Sequence, residues 1–117
     1  MDNILLKFSN DPLAGRSRES VFQFLRERLK NRALVVYVFG SFAENNMNAA
    51  SDIDLIIVCK TPLPFTERAG EFKDLFTSGI QFDILVYTPE EWRKIQNEKS
   101  VGFWKSVKSQ MLEVTLR

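Results

Sequence analysis

Two aspartates, Asp52 and Asp54, stand one residue apart at the head of an apolar run, DIDLIIV. A Gly40-Ser41 pair closes the preceding apolar run, and ten residues lie between Ser41 and Asp52. In an extended chain, residues i and i+2 face the same way, about 6.6–6.8 Å apart, so the two carboxylates can converge on one site. Two like charges on an apolar strand repel each other and are costly to desolvate. A hard divalent cation offsets both effects, and Mg²⁺ is typically held by one or two carboxylates together with substrate phosphates. Gly40 lets the backbone come close to a ligand. A helical turn starting at Ser41 would aim free N–H groups, and a hydroxyl, at an anion. Each fragment has a plainer alternative: a strand start with solvated carboxylates, and a serine that merely caps a turn. The conjunction favours a metal beside a phosphate.

The elements that must position these residues can be read from periodicity. Residues 1–16 carry the turn signals Asp11-Pro12 and Ala14-Gly15 and read as a weakly structured or short extended arm before a single domain over 17–117. A helix is expected from Ser17, capped by Ser17 or Ser20, with Val21, Phe24, Leu25 and Leu29 on one face. Ala33–Phe39 and Ile53–Val58 read as buried strands, the second ended by Thr61-Pro62-Leu63-Pro64. Phe65–Phe76 reads as a helix with Phe65, Ala69, Phe72 and Phe76 aligned. Ser78-Gly79 is a turn, and Ile80–Tyr87 a third strand. Thr88-Pro89-Glu90-Glu91 has the form of a capping box opening a helix that buries Trp92 and Ile95. Val101–Val114 reads as a last helix, with Phe103, Trp104, Val107, Met111 and Val114 along one side. The order predicts an α/β (α+β) domain on a small mixed sheet, its helices packed mainly on one face.

Composition narrows the function classes. The chain has 117 residues, enough for one domain, and a 44 % apolar content that predicts a packed core. A net charge of +1 argues against a nucleic-acid partner engaged by charge, and Arg26, Arg28, Lys30 and Arg32 read as one solvated helix face. There is no histidine, so His-based triads and His metal sites are excluded. The single Cys59 reads as a buried reduced thiol, which fits a cytoplasmic protein. The N-terminal text lacks the basic flank of a signal peptide, and no apolar run reaches the ~20 residues of a membrane span.

The pattern G-S-x₁₀-D-x-D, with its flanking strands and the text SDIDLIIV, resembles the DNA polymerase β-like nucleotidyltransferase superfamily, and its minimal nucleotidyltransferase (MNT) branch in particular, over roughly residues 18–113. The resemblance implies the nucleotidyltransferase fold and a third carboxylate from a later strand beside the first pair. Asp83, in QFDILVY with Phe82 and Ile84 on the opposite strand face, is that candidate. Its plainer alternative is a buried acid paired with Arg or Lys. Glu71 and Asp74 read as the polar face of a helix. The resemblance further implies two Mg²⁺ ions held by Asp52, Asp54 and Asp83, with Gly40 and Ser41 gripping the distal phosphates of ATP or another nucleoside triphosphate. It implies transfer of a nucleotide to an acceptor hydroxyl on a helical HEPN-type partner protein, as the antitoxin of a toxin–antitoxin module. The sequence departs from the family at Phe42-Ala43-Glu44-Asn45, where many members carry a small residue and an Arg-Gly pair. The missing Arg and the added Glu44 predict weaker nucleotide binding or an altered nucleotide orientation. They motivate a second reading, an MNT-fold binding module that neutralises or scaffolds its partner by contact. The aromatic segment Phe103-Trp104…Met111 reads either as packing on its own sheet or as an interface. Oligomeric state is left open.

Overall fold

The structure is a computed structural model that describes residues 11–98 and 102–117. Residues 1–10, which include most of the expected arm, lie outside the described residues. From Asp11 the chain makes a turn in which the Asp11 carboxylate accepts from the Leu13 and Gly15 N–H groups at 2.9 and 2.7 Å. Leu13 and Ala14 pack on the core. Ser17 then caps α1 (Arg18–Leu29), its hydroxyl accepting from the Ser20 N–H at 3.1 Å. Val21, Leu25 and Leu29 form the buried stripe.

Next come β1 (Val35–Phe39), the short helix α2 (Gly40–Ala43) and β2 (Ile53–Val58). β2 has the expected limits; β1 starts two residues later than expected, and Leu34 before it is exposed although its N–H still donates to the Val58 carbonyl at 2.8 Å. The single helix expected over Phe65–Phe76 is instead α3 (Phe65–Arg68) followed by a 3₁₀ helix (Ala69–Ser78) with a kink at Phe72. The tighter winding stacks residues three apart, and it sends Phe72 and Leu75 together into the core. Phe65 and Phe76, expected on the same stripe, stay exposed and lie against Tyr87 and Phe82. Gly79, in the left-handed region, closes this segment before β3 (Phe82–Tyr87). α4 (Pro89–Asn97) opens on the expected reciprocal cap between Thr88 and Glu91.

The last expected helix is shorter than its apolar pattern. α5 (Gly102–Gln110) ends there, and β4 (Leu112–Glu113) pairs antiparallel with β1. Val114 donates its N–H to the Val36 carbonyl at 2.8 Å and is buried in the core. Sheet pairing and burial together outweigh continued helix for these residues.

The sheet order is β3-β2-β1-β4, with β1 antiparallel to both neighbours and β2 parallel to β3. One face carries Val36, Val38, Ile53, Leu55, Ile57 and Val86 under α1 and the 3₁₀ helix, and this is the larger core. The other face carries Phe39, Ile56 and Val58, covered by Trp92 of α4 and Val107 of α5 in a smaller cluster. Trp104 and Met111 join that cluster, so most of the aromatic C-terminal segment packs on its own sheet.

Candidate functional site

The parallel strands β2 and β3 start side by side, at the end of the sheet where β1 finishes. Their register pairs Asp54 with Asp83, and the β1–β2 register pairs Phe39 with Asp54. Side chains paired in this way project from the same sheet face. Asp54 and Asp83 therefore stand together at one end of the face covered by α4 and α5, and Asp52 precedes Asp54 by two residues. Asp52 and Asp83 are exposed, and Asp54 is half-buried. No ion pair among the described residues involves any of the three.

Gly40 completes this corner. Its φ of +69° lies in the left-handed region, which side chains disfavour. A Cβ on Gly40 would also come 2.2 Å from Asp54 Oδ2. Only glycine leaves the Asp54 carboxylate room against the start of α2. Phe42 is buried under α2 against Phe22, at 5.5 Å between ring centres. Arg18 of α1 donates to the carbonyls of Phe42 and Ala43, the latter at 3.1 Å, and its guanidinium lies 4.6 Å from the Phe42 ring. Arg18 thus satisfies the open carbonyl end of α2, a role that local sequence does not reveal because its partners are backbone atoms 24 and 25 residues away.

The connection from α2 to β2 is held just as closely. Asn46 donates its N–H to the Ser41 carbonyl at 2.7 Å. The Asn48 N–H donates to Ser51 Oγ at 3.0 Å, and the Ala50 N–H to Asn48 Oδ1 at 2.9 Å. Asn45 adopts φ +56°. Asn is among the few non-glycine residues that tolerate this conformation. Glu44 beside it is exposed. An open, mainly polar cleft of about 360 Å³ adjoins Asp52, lined by Asp11, Pro12, Ala49, Ala50, Ser51, Gly79 and Gln81. A larger concavity lies along α4, which follows the opposite end of β3 and carries none of the three aspartates.

Asp54 is the electrostatic centre of the corner. Burial first, then the charges of Asp83 and Asp52, push its carboxyl up to about 6. An acid raised in this way lacks compensating positive charge, and its neighbours offer oxygen donors only. That chemistry fits a hard divalent cation. Among the described residues no three acidic or thiol side chains are grouped as a ready metal site, so the fit rests on the oxygen-donor chemistry of Asp54 with Asp83 in register beside it.

The other sequence candidates have different partners. Asp74 accepts from Arg32 at 2.8 and 2.9 Å and from Arg28 at 3.4 Å, and the Arg32 hydrogen bond holds its carboxyl below the usual range. Arg28 and Arg32 are therefore not a free basic face. Glu71 accepts from Thr61 at 3.2 Å. Cys59 is a buried free thiol whose pKa is raised, chiefly by burial.

The fold agrees with comparisons to known proteins. Among curated proteins, no match was found. Among solved structures, the chain is similar to a crystal structure of a toxin–antitoxin with AMP-PNP: 17 % identity, TM-score 0.54, covering 86 % of this chain and 73 % of that one. It is also similar to a mutant of the toxin–antitoxin MntA–HpeT: 16 % identity, TM-score 0.51, with the same coverage of 86 % and 73 %. At these identities the likeness establishes a shared fold. The family model for the nucleotidyltransferase domain matches residues 18–113, which span β1, the Gly40-Ser41 turn and all three aspartates, and the chain belongs to that family.

Proposed function

We propose that this protein is a metal-dependent nucleotidyltransferase of the MNT type. It transfers AMP from ATP to a hydroxyl on a helical HEPN-type partner, as the antitoxin of a toxin–antitoxin pair. The observation that carries this reading is the Gly40–Asp54 corner, where a glycine required on two counts makes room for a carboxylate raised by burial and then by two neighbouring acids. Family membership and the fold shared with toxin–antitoxin structures support it.

Asp52, Asp54 and Asp83 would hold Mg²⁺, two ions by the resemblance to the family. Bound there, the metal would lower the pKa of the attacking hydroxyl and neutralise charge developing on the phosphoryl oxygens. The protein's own groups orient the reactants. Ser41 donates its hydroxyl to a phosphate oxygen, and Gly40 admits the phosphate chain close to the backbone. Asp83, the more exposed member of the registered pair, accepts the proton of the acceptor hydroxyl on a carboxylate oxygen. The acceptor oxygen bonds to the α-phosphorus as the bond to the leaving pyrophosphate breaks.

Incubating the chain with ATP, Mg²⁺ and the protein encoded in the neighbouring reading frame tests this reading. Intact mass spectrometry should show the partner gaining AMP, and Asp52→Ala/Asp54→Ala should abolish the gain. Glu44, which stands where the family carries a positive charge, favours the second reading of a contact-only antitoxin. Neutralisation of the partner by the double variant, without any mass gain in either case, would establish that alternative.

A further inference from the structure

Phe103 is 56 % exposed and belongs to neither core cluster. Its ring is nevertheless held from two sides. Phe39 meets it at 6.1 Å and 89°, and Trp104 at 5.1 Å and 77°. Phe39 is the residue registered against Asp54, and it leads directly into Gly40. α5, which carries Phe103, packs against α2. A positioned and open aromatic ring thus borders the carboxylate and Gly-Ser corner, on the sheet face from which Asp54 projects. Among the described residues, the other exposed phenylalanines do not share this placement. Phe65 rests on Tyr87 at the far end of β3, and Phe76 rests on Phe82, whose side chain is on the opposite face from Asp83.

A ring that the fold holds but does not bury, next to a phosphate grip, has the chemistry of a base platform. We propose that Phe103 stacks the nucleobase of the bound triphosphate and that this site takes purine nucleoside triphosphates in preference to pyrimidine ones. The assignment rests on the nucleotidyl-transfer reading above. Every base offers a π face to an aromatic ring, and the larger purine bicycle covers more of it. Phe39 and Trp104 act as supports that fix the ring's direction. The phosphates remain the business of the Gly40–Asp54 corner, so the two halves of the substrate are held by separable groups.

The test is calorimetric titration of the full chain, in Mg²⁺, with a non-hydrolysable ATP analogue, its CTP counterpart and inorganic tripolyphosphate. Phe103→Ala should weaken the ATP analogue about tenfold to a hundredfold, as loss of one base stack does. It should also narrow the gap between ATP and CTP and leave tripolyphosphate unchanged. Phe103→Trp should keep affinity for the ATP analogue. The exposed position makes both variants foldable, and thermal melts check this. Unchanged ATP-analogue binding in Phe103→Ala, or an equal loss for tripolyphosphate, would overturn the platform alone. Failure of the unaltered protein to bind either phosphate compound would overturn the nucleotidyl-transfer reading and the platform with it.

Discussion

At the scale of single residues, charge and space decide the site together. Asp54 has a folded-state pKa of about 6 against an ordinary 3.8, so the folded chain binds the extra proton between those values. Stability from this group is therefore present at low pH and is lost as pH rises through about 6. Asp54→Asn removes that penalty. With solvent screening of a half-buried group, it should raise stability at pH 7 by about 1 kcal/mol, read as a higher melting temperature. Mg²⁺ should raise the melting temperature of the unaltered protein and leave Asp54→Asn unmoved. The sequence pointed to the two aspartates and Gly40-Ser41 through strand alternation and a glycine turn, which are local signals, and to Asp83 only through the family resemblance; the structure brings Asp54 and Asp83 into register. The sequence did not show that Gly40 and Asp54 occupy the same space, which emerges only once β1 and β2 pair. Glu44 stands where the sequence resemblance leads to the expectation of an Arg. Glu44→Arg should strengthen Mg²⁺-nucleotide binding roughly threefold to tenfold in titration, because it replaces a repelling charge near the phosphates with an attracting one.

At the scale of elements, two arginines tie the scaffold together. Arg18 secures α2. Arg68, only 7 % exposed, fixes the crossover between the parallel strands: it donates to the Leu63 and Val86 carbonyls at 2.8 and 3.1 Å and to the Glu91 carboxylate at 2.6 and 3.2 Å. Glu91 also serves the capping box of α4, so one guanidinium links α3, β3 and α4. Arg68→Met should cost about 2 kcal/mol in chemical denaturation, because it strands buried carbonyls while Glu91 keeps partial contact with water. The Arg68 hydrogen bond holds the Glu91 carboxyl below its usual range, so its contribution is present near neutrality and fades as the medium is acidified past that lowered value. β2 and the α4 cap were legible because Pro, Thr and β-branched residues mark them locally. The kink at Phe72 and the strand Leu112–Glu113 were not, because each depends on a partner distant in sequence: the core beneath the 3₁₀ helix, and the free edge of β1.

At the scale of the whole molecule, the sheet separates two tasks. Its larger core, under α1 and the 3₁₀ helix, stabilises the fold. Its other face ends in the carboxylates, beside the aromatic cluster of α4 and α5. That division places a polar, negatively charged corner at the edge of the smaller apolar layer, where burial raises Asp54 without closing off Asp52 and Asp83. No helix among the described residues is long and apolar enough to cross a membrane. The central claim is that this corner binds a nucleoside triphosphate through a divalent cation. Titrating a non-hydrolysable ATP analogue into the unaltered chain and into Asp54→Asn, each with Mg²⁺ and with a chelator, tests it most directly. The unaltered chain should bind only when Mg²⁺ is present, and Asp54→Asn should not bind. Binding that survives the chelator and the substitution alike would contradict the claim.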